Sequence, residues 1–395
     1  MVFGVTRNVF IMGIVSFLTD VSTEMIYPLL PLFLTLTLGA SITFVGLVEG
    51  VAESTASVLK LFSGWLSDKI SRRKTIVLVG YTLSSLTRPL VPLSTAAWHI
   101  LVVRFLDRVG KGVRTSPRDA LISDSSPPDL LGRAFGFHRA MDHMGAVVGP
   151  IIAFLLINSS GISVRGVFWL ASIPALLSIV TLMFVDERRR QSADAQFPTF
   201  SLNQFDQNFR RVLGVILLFT LGNSSDAFLI LRATGLGVSI DLVPLLWVAL
   251  HLVKMSTSFP GGVWSDHIGR KTVIIAGWIV YSAIYLGFAL AQTSLHIWVL
   301  FALYGIYFGL TEGAERAFIA DLVPQELQGT AYGVYHFTIG LAALPASLIM
   351  GILWDKVGVS VAFAFGAVLS LVAAFLLGVM VREGRVTSLP HTPES

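Results

Sequence analysis

The stretch "GWLSDKISRRK" at residues 64–74 returns, slightly altered, as "GVWSDHIGRK" at residues 262–271. Asp68 and Asp266 are the corresponding acids, 198 residues apart, and each stretch sits between two apolar runs. A second echo pairs Asp124 and the "SSPPDLLGRAFGFH" that follows it with Asp321 and the "LVPQELQGTAYGVY" that follows it, a shift of 197 that sets Gly132 and Gly136 on Gly329 and Gly333. A shift held near half of the 395 residues marks an internal duplication. We therefore expect two similar halves, 1–185 and 212–395, joined by the long polar connection 186–211.

The sequence around the repeats is apolar. Hydrophobic residues make up 54% and charged residues 13%, which excludes an ordinary soluble chain. A membrane-crossing helix needs about 20 apolar residues. Twelve such stretches fit, at about 9–35, 42–66, 75–93, 98–122, 133–157, 164–185, 212–236, 240–263, 272–292, 295–321, 329–353 and 357–381. The expected fold is an all-α membrane protein with six transmembrane helices in each half. The net charge of +4 does not signal a nucleic-acid partner, because lysine and arginine gather in alternate connections and form no basic face. They crowd "DKISRRK" at 68–74, "DERRR" at 186–190, Arg210, Arg211 and "HIGRK" at 267–271, and are absent from "LTLGAS" at 36–41, "LSTAAW" at 93–98 and "AQTSLH" at 291–296. By the positive-inside rule the first set and both termini are cytoplasmic. The first apolar run contains Asp20, Glu24, Pro28 and Pro31 and has no small-residue cleavage site, so it reads as a retained span. A bacterial inner membrane and a monomer are expected. The chain has no cysteine, which excludes disulfide and thiol chemistry.

On these stretches the chain resembles the major facilitator superfamily over essentially its whole length. Its loop signature of glycine, aspartate, glycine and arginine between the second and third spans is similar to "GWLSDKISRRK" and "GVWSDHIGRK", with Ser71 in place of the glycine that Gly269 keeps. "RFLDRVGKG" resembles the family's fourth-span arginine motif through Arg104, with Arg108 at a usual glycine; "GAVVGP", Gly145–Pro150, resembles the fifth-span motif of proton-driven exporters. The resemblance implies two pseudo-symmetric bundles around a cavity lined by spans one, four, seven and ten, and rocking between inward-open and outward-open states. It implies gating roles for Asp68, Arg72, Arg133, Asp266 and Arg270 at the cytoplasmic loops and for Gly145, Gly149 and Pro150 in the fifth span. Ordinary close helix packing would also account for the two glycines.

The fourth span raises its own question. Advancing about 100° per residue from Arg104, Arg108 falls near 40°, Lys111 near −20°, Arg118 near −40°, Asp107 near −60° and Arg114 near −80°. One face thus carries nearly all of the charge. Charge facing hydrocarbon costs about 2.5–3.5 kcal/mol per residue, so this face must look into protein or a wet cavity. Arg118 and Asp119 can reach the interface by snorkelling, whereas Arg104, Asp107 and Arg108 lie deeper. "RVGKGVRTS" lacks the spacer of a phosphate loop and follows no strand.

Candidate partners lie at helical spacing: Asp20 and Glu24 in span one, Glu49, Glu53 and Lys60 in span two, His138, Arg139 and Asp142 in span five. An acid whose basic partner moves away takes a proton, which is a route to proton coupling. Asp20, Glu24, Glu53, Asp107 and Asp142 are the candidates, with Asp20 foremost; the alternative is a fixed ion-pair lattice holding the first bundle together. In the second half the positions of Arg104, Asp107, Gly110 and Lys111 are taken by Phe301, Tyr304, Tyr307 and Phe308, and Asp226, Arg232, His251, Lys254, Glu312, Glu315, Arg316 and His336 remain. Candidate substrate contacts are Arg104, Arg108, Lys111, Arg114, Asp226, Tyr304, Tyr307, Phe308 and Glu312, although an aromatic stripe is also ordinary packing. The expected function is proton-coupled transport of a small organic solute, exported by antiport. The alternative is an organic-anion transporter with the basic face of span four as a clamp. No enzyme, metal or cofactor is expected: the eight histidines are scattered and no nucleophile elbow is present.

Overall fold

The computed structural model describes residues 5–69, 73–127, 130–186, 202–324 and 327–382. Arg72 lies outside the described residues, as do the side chains of Asp68 and Arg133. Among the described residues the first half contributes α1 (Arg7–Ile26), α2 (Ile42–Lys69), α3 (Arg73–Thr87), α4 (Ala97–Asp124), α5 (Leu131–Ser160) and α6 (Val164–Met183). The second contributes α7a (Gln207–Gly222), α7b (Ala227–Gly235), α8 (Val243–Ile268), α9 (Arg270–Leu290), α10 (Ser294–Asp321), α11 (Gln328–Lys356) and α12 (Val359–Met380). Eleven described segments are long and apolar enough to cross a membrane; α4, at 28 residues, falls outside that set because of its charges.

Two spans are not regular. Pro28 and Pro31 have no backbone N–H, so α1 passes into a 3-10 turn at Tyr27–Leu29 and a π-helical turn at Phe33–Thr37. The seventh span was expected to be continuous and instead breaks at Asn223–Asp226. Asparagine, two serines and aspartate compete with the helix for its own backbone bonds, and the break exposes polar groups at mid-span.

The duplication read from sequence is present in the packing. Within the first half α1 packs on α5 and α6, α4 on α2 and α3, and α3 on α6; within the second α7a packs on α11 and α12, α10 on α8 and α9, and α9 on α12. Each pair maps onto its counterpart six helices later. The halves meet where α2 packs on α11 and α5 on α8, two contacts related by the same exchange.

Polar contacts repeat as well. Arg73 pairs with Asp124 at 2.6 Å and Arg270 with Asp321 at 2.9 Å. Lys74 donates to the carbonyls of Met183 and Val185, and Lys271 to those of Gly378 and Val381. Asn8 bonds Asp186 backbone in both directions, and Asn208 does the same with Arg382. By this pairing Arg73 is the counterpart of Arg270: the first loop has one more residue, and the register passes from 198 to 197 across it. Asp266 joins Arg270 at 2.7 Å, and Ser265 accepts from the same guanidinium. All of these contacts gather at the end of the molecule where both described chain ends lie, the terminal end.

At the opposite end the two halves are locked together. A Cβ at Gly50 would lie 2.8 Å from the Cα of Leu344, and one at Gly351 would lie 2.7 Å from the Cα of Thr43. Asp355, at the end of α11, accepts from the backbone N–H of Thr43 at 2.8 Å and from its hydroxyl at 2.7 Å. A carboxylate of one half thus satisfies the exposed start of a helix in the other. Losing a cap of this kind costs about 0.5–2 kcal/mol, so Asp355→Ala will raise the open population of this end by between twofold and about thirtyfold. The readout is the thiol-reagent labelling rate of a cysteine introduced by Phe44→Cys, which should rise; an unchanged rate contradicts the lock.

Candidate functional site

Between the halves lies a cavity of about 510 Å³. Its walls come from α1 (Asp20, Thr23, Glu24) and the 3-10 turn after it (Tyr27), α2 (Glu49, Glu53), the turn after α3 (Arg88) and α4 (Arg104, Asp107, Arg108, Lys111, Arg114) on one side. The α7 break (Asn223–Asp226), α8 (Trp247, Lys254), α10 (Tyr304, Phe308) and α11 (Ile339, Ala343, Ser347) complete it. Glu53 is solvent-exposed although it lies within α2, so water reaches the cavity in this state.

Asp107 organises the basic wall. Its carboxylate is 3.1 Å from Arg88, 3.6 Å from Arg108 and 3.8 Å from Arg104. Arg104 also sets one amino group on both oxygens of Glu49, at 2.8 and 2.9 Å. Arg88 donates to Thr23 on α1 at 3.0 Å. These five ionic side chains are almost fully buried, and at low dielectric such charges persist only when paired.

The compensation stops short of the lower face of α4. Arg108 has only its share of Asp107, and Lys111 and Arg114 make no ion pair among the described residues. Arg114 is 7% exposed and lies over the Tyr81 ring, 4.2 Å from its centroid, with one buried nitrogen left without an acceptor. The Nε atoms of Arg104 and Arg108 are likewise buried without a hydrogen-bond acceptor. Asp20 makes no hydrogen bond or ion pair among the described residues; it lies within electrostatic reach of the acids Asp142 and Glu24 and, more weakly, of Lys111 and Arg114.

Neutral donors of the second wall hold one acid on each side. The Trp247 indole donates to Glu24 at 2.8 Å across the two halves, and the Tyr304 hydroxyl donates to Asp226 at 2.9 Å. Lys254 sits 4.4 Å from the centre of the Phe308 ring and 3.0 Å from Glu312.

Eleven of the fourteen sequence candidates for coupling and binding line the cavity: Asp20, Glu24, Glu53, Asp107, Arg104, Arg108, Lys111, Arg114, Asp226, Tyr304 and Phe308. Three do not. Asp142 faces the α1–α5 contact, where it accepts from Ser16. Tyr307 is buried against Tyr281 and bonded to Asn223, because its position, like that of Gly110, faces the neighbouring helix. Glu312 sits between Lys254 and Arg316 outside the lining. Arg88 was missed altogether: beside Pro89 it reads as a span-end charge, and only the fold brings it to Asp107. The α7 break was missed although "GNSSD" is turn-like sequence. Gly145 and Gly149 back the acids of α1. A Cβ at Gly145 would lie 2.8 Å from that of Asp20, and one at Gly149 2.6 Å from the carbonyl of Val21.

Two helical bundles enclosing a water-reached, charge-lined cavity at mid-membrane define a transporter of small solutes, not an enzyme. The chain belongs to the Major Facilitator Superfamily, whose family model matches residues 12–250 and 212–394. It is 36% identical over 378 residues to an uncharacterized MFS-type transporter of Methanocaldococcus jannaschii, covering 94% of each chain. It is 24% identical to the cis,cis-muconate transport protein of Acinetobacter baylyi, over 73% of each. The fold matches a mutant of the nucleoside transporter NupG with a TM-score of 0.81, covering 95% of this chain and 100% of that one at 14% identity. It is an integral membrane protein acting on small molecules.

Removing the shared carboxylate by Asp107→Asn leaves three guanidinium groups facing one another. Breaking a buried pair in this way costs about 3–5 kcal/mol, and the thermal midpoint of the purified protein in detergent should fall accordingly. An unchanged midpoint would mean that the cluster is already hydrated.

Proposed function

We propose that this protein carries a small organic anion through the membrane by alternating access and couples its movement to protons. The observation that carries the reading is that Lys111 and Arg114 line the cavity with no ion pair among the described residues, while Arg108 has only a 3.6 Å share of Asp107. A buried cation without its own acid is costly, and an anionic cargo supplies the missing charge. The relative that transports cis,cis-muconate, a dicarboxylate, is consistent with such a cargo.

Asp20 supplies the coupling. With the cavity empty its carboxylate offsets Lys111 and Arg114; an arriving anion takes over that role and leaves Asp20 in a negative surrounding, where it binds a proton. Anion and proton then load together, which gives symport. A second reading, export by antiport, draws its support from the "GAVVGP" motif, which packs directly behind Asp20 and Glu24. In that reading an amphipathic cation competes with the proton for the same acids.

The lysine and arginine distribution supports cytoplasmic termini, and so a state open to the cytoplasm. We place the protein in a bacterial inner membrane as a monomer, with no nucleic-acid partner.

Flux in proteoliposomes under an imposed pH gradient tests the reading, with a panel of carboxylates and amines of matched size. A carboxylate should accumulate on the alkaline side. Lys111→Gln or Arg114→Gln should weaken its binding by about 10–150-fold, the worth of a charged hydrogen bond. Asp20→Asn should abolish uphill movement and leave exchange. Accumulation of an amine on the acidic side, untouched by the two basic substitutions, selects the antiport reading.

A further inference from the structure

Toward the terminal end from Asp20, in the contact between α1 and α5, lies a second group of titratable side chains that does not line the cavity. The Ser16 hydroxyl donates to one oxygen of Asp142. The other oxygen lies 3.5 Å from Nδ1 of His138 and 3.7 Å from the Arg139 guanidinium. His138 is 2% exposed, and its Nε2 is buried without a partner. The Arg118–Asp119 pair of α4 is the other charge facing the imidazole.

The heights of these groups follow from helix geometry. Ser16 lies one turn from Asp20 on α1, and Gly145 packs on the Asp20 side chain, which sets α5 level with it. Asp142 and then His138 follow on α5, about 4.5 Å and a further 6 Å nearer the terminal end at 1.5 Å per residue. Arg139, 54% exposed, reaches water beside them. The groups form a column from solvent to the level of Asp20, parallel to the cavity and separate from it.

Most buried side-chain nitrogens are hydrogen-bonded, and the Nε2 of His138 is an exception. Here Asp142 beside Nδ1 selects the tautomer with the proton on Nδ1, which leaves the Nε2 lone pair free to act as a base. When Nε2 takes a proton and Nδ1 releases its own to Asp142, the ring stays neutral and one proton has moved one step inward.

We infer that His138 and Asp142 relay protons between water at the terminal end and Asp20, so that Asp20 can exchange its proton while cargo fills the cavity. This rests on the proton-coupled reading of Asp20, and both residues act through it as positioning and relay groups.

The test uses the full chain and needs no cargo. Because the native sequence has no cysteine, Ile339→Cys in the cavity wall can be plugged with a bulky maleimide. The carboxyl stretch of Asp20, identified by its loss in Asp20→Asn, is then followed by infrared spectroscopy after a pH jump. With His138 and Asp142 intact the plugged protein should still titrate Asp20; His138→Gln or Asp142→Asn should slow the change at least tenfold in the plugged protein only, and added imidazole should restore the rate for His138→Gln. Equal rates with and without the substitutions, or plugging that silences Asp20 while both residues are intact, would overturn the relay. If no band that titrates is lost in Asp20→Asn, the proton-coupled reading fails first.

Discussion

One carboxylate shared among three guanidinium groups holds the first half of this protein together. Asp107 cannot be buried alone, and neither can Arg88, Arg104 or Arg108, so the turn after α3 and the middle of α4 are bound by charge as much as by packing. Through Glu49 and Thr23 the same lattice reaches α2 and α1. The shared carboxylate has a further consequence. With Asp107 and Glu49 committed to the deeper arginines, the next turns of α4 bring Lys111 and Arg114 to the cavity with no ion-paired carboxylate, only Asp20 and Glu53 within electrostatic reach.

Duplication gave the two halves one scaffold and let their walls diverge. Matching helix contacts, Arg–Asp pairs and lysine caps recur at the terminal end of both. At cavity depth the likeness stops: where α4 offers Arg104, Asp107 and Lys111, α10 offers Phe301, Tyr304 and Phe308. Neutral donors of the second half hold two acids, Tyr304 its own Asp226 and Trp247 the Glu24 of α1, and can let go at less cost than a buried cation. One wall is thus a charged frame and the other an aromatic surface that tethers one acid of each wall by a hydrogen bond.

The fold was largely legible because its causes are local in sequence. Apolar runs of membrane length place the helices, and the Asp68 and Asp266 stretches give the repeat. The charged face of α4 was legible for the same reason: residues 104, 107, 108, 111 and 114 share it by helical periodicity, and all five line the cavity. What could not be read depends on contacts between helices. Arg88 meets Asp107 only because α3 packs on α4, and Tyr307 is turned away from the cavity by Tyr281 of α9. Glu312 is claimed by Lys254 from another helix. The match of Arg73 to Arg270 needs a single extra loop residue, which a motif comparison passes over and an ion pair does not.

The central claim is that Lys111 and Arg114 face the cavity without an ion-paired carboxylate and so offer a site to an anionic cargo. Thermal stabilisation of the purified wild-type protein by a series of small organic acids, each compared with its amide, measures this directly. At least one acid should raise the unfolding midpoint while its amide does not, and the rise should shrink as the acid is protonated at lower pH. Stabilisation by amines and amides with none by any acid would contradict it.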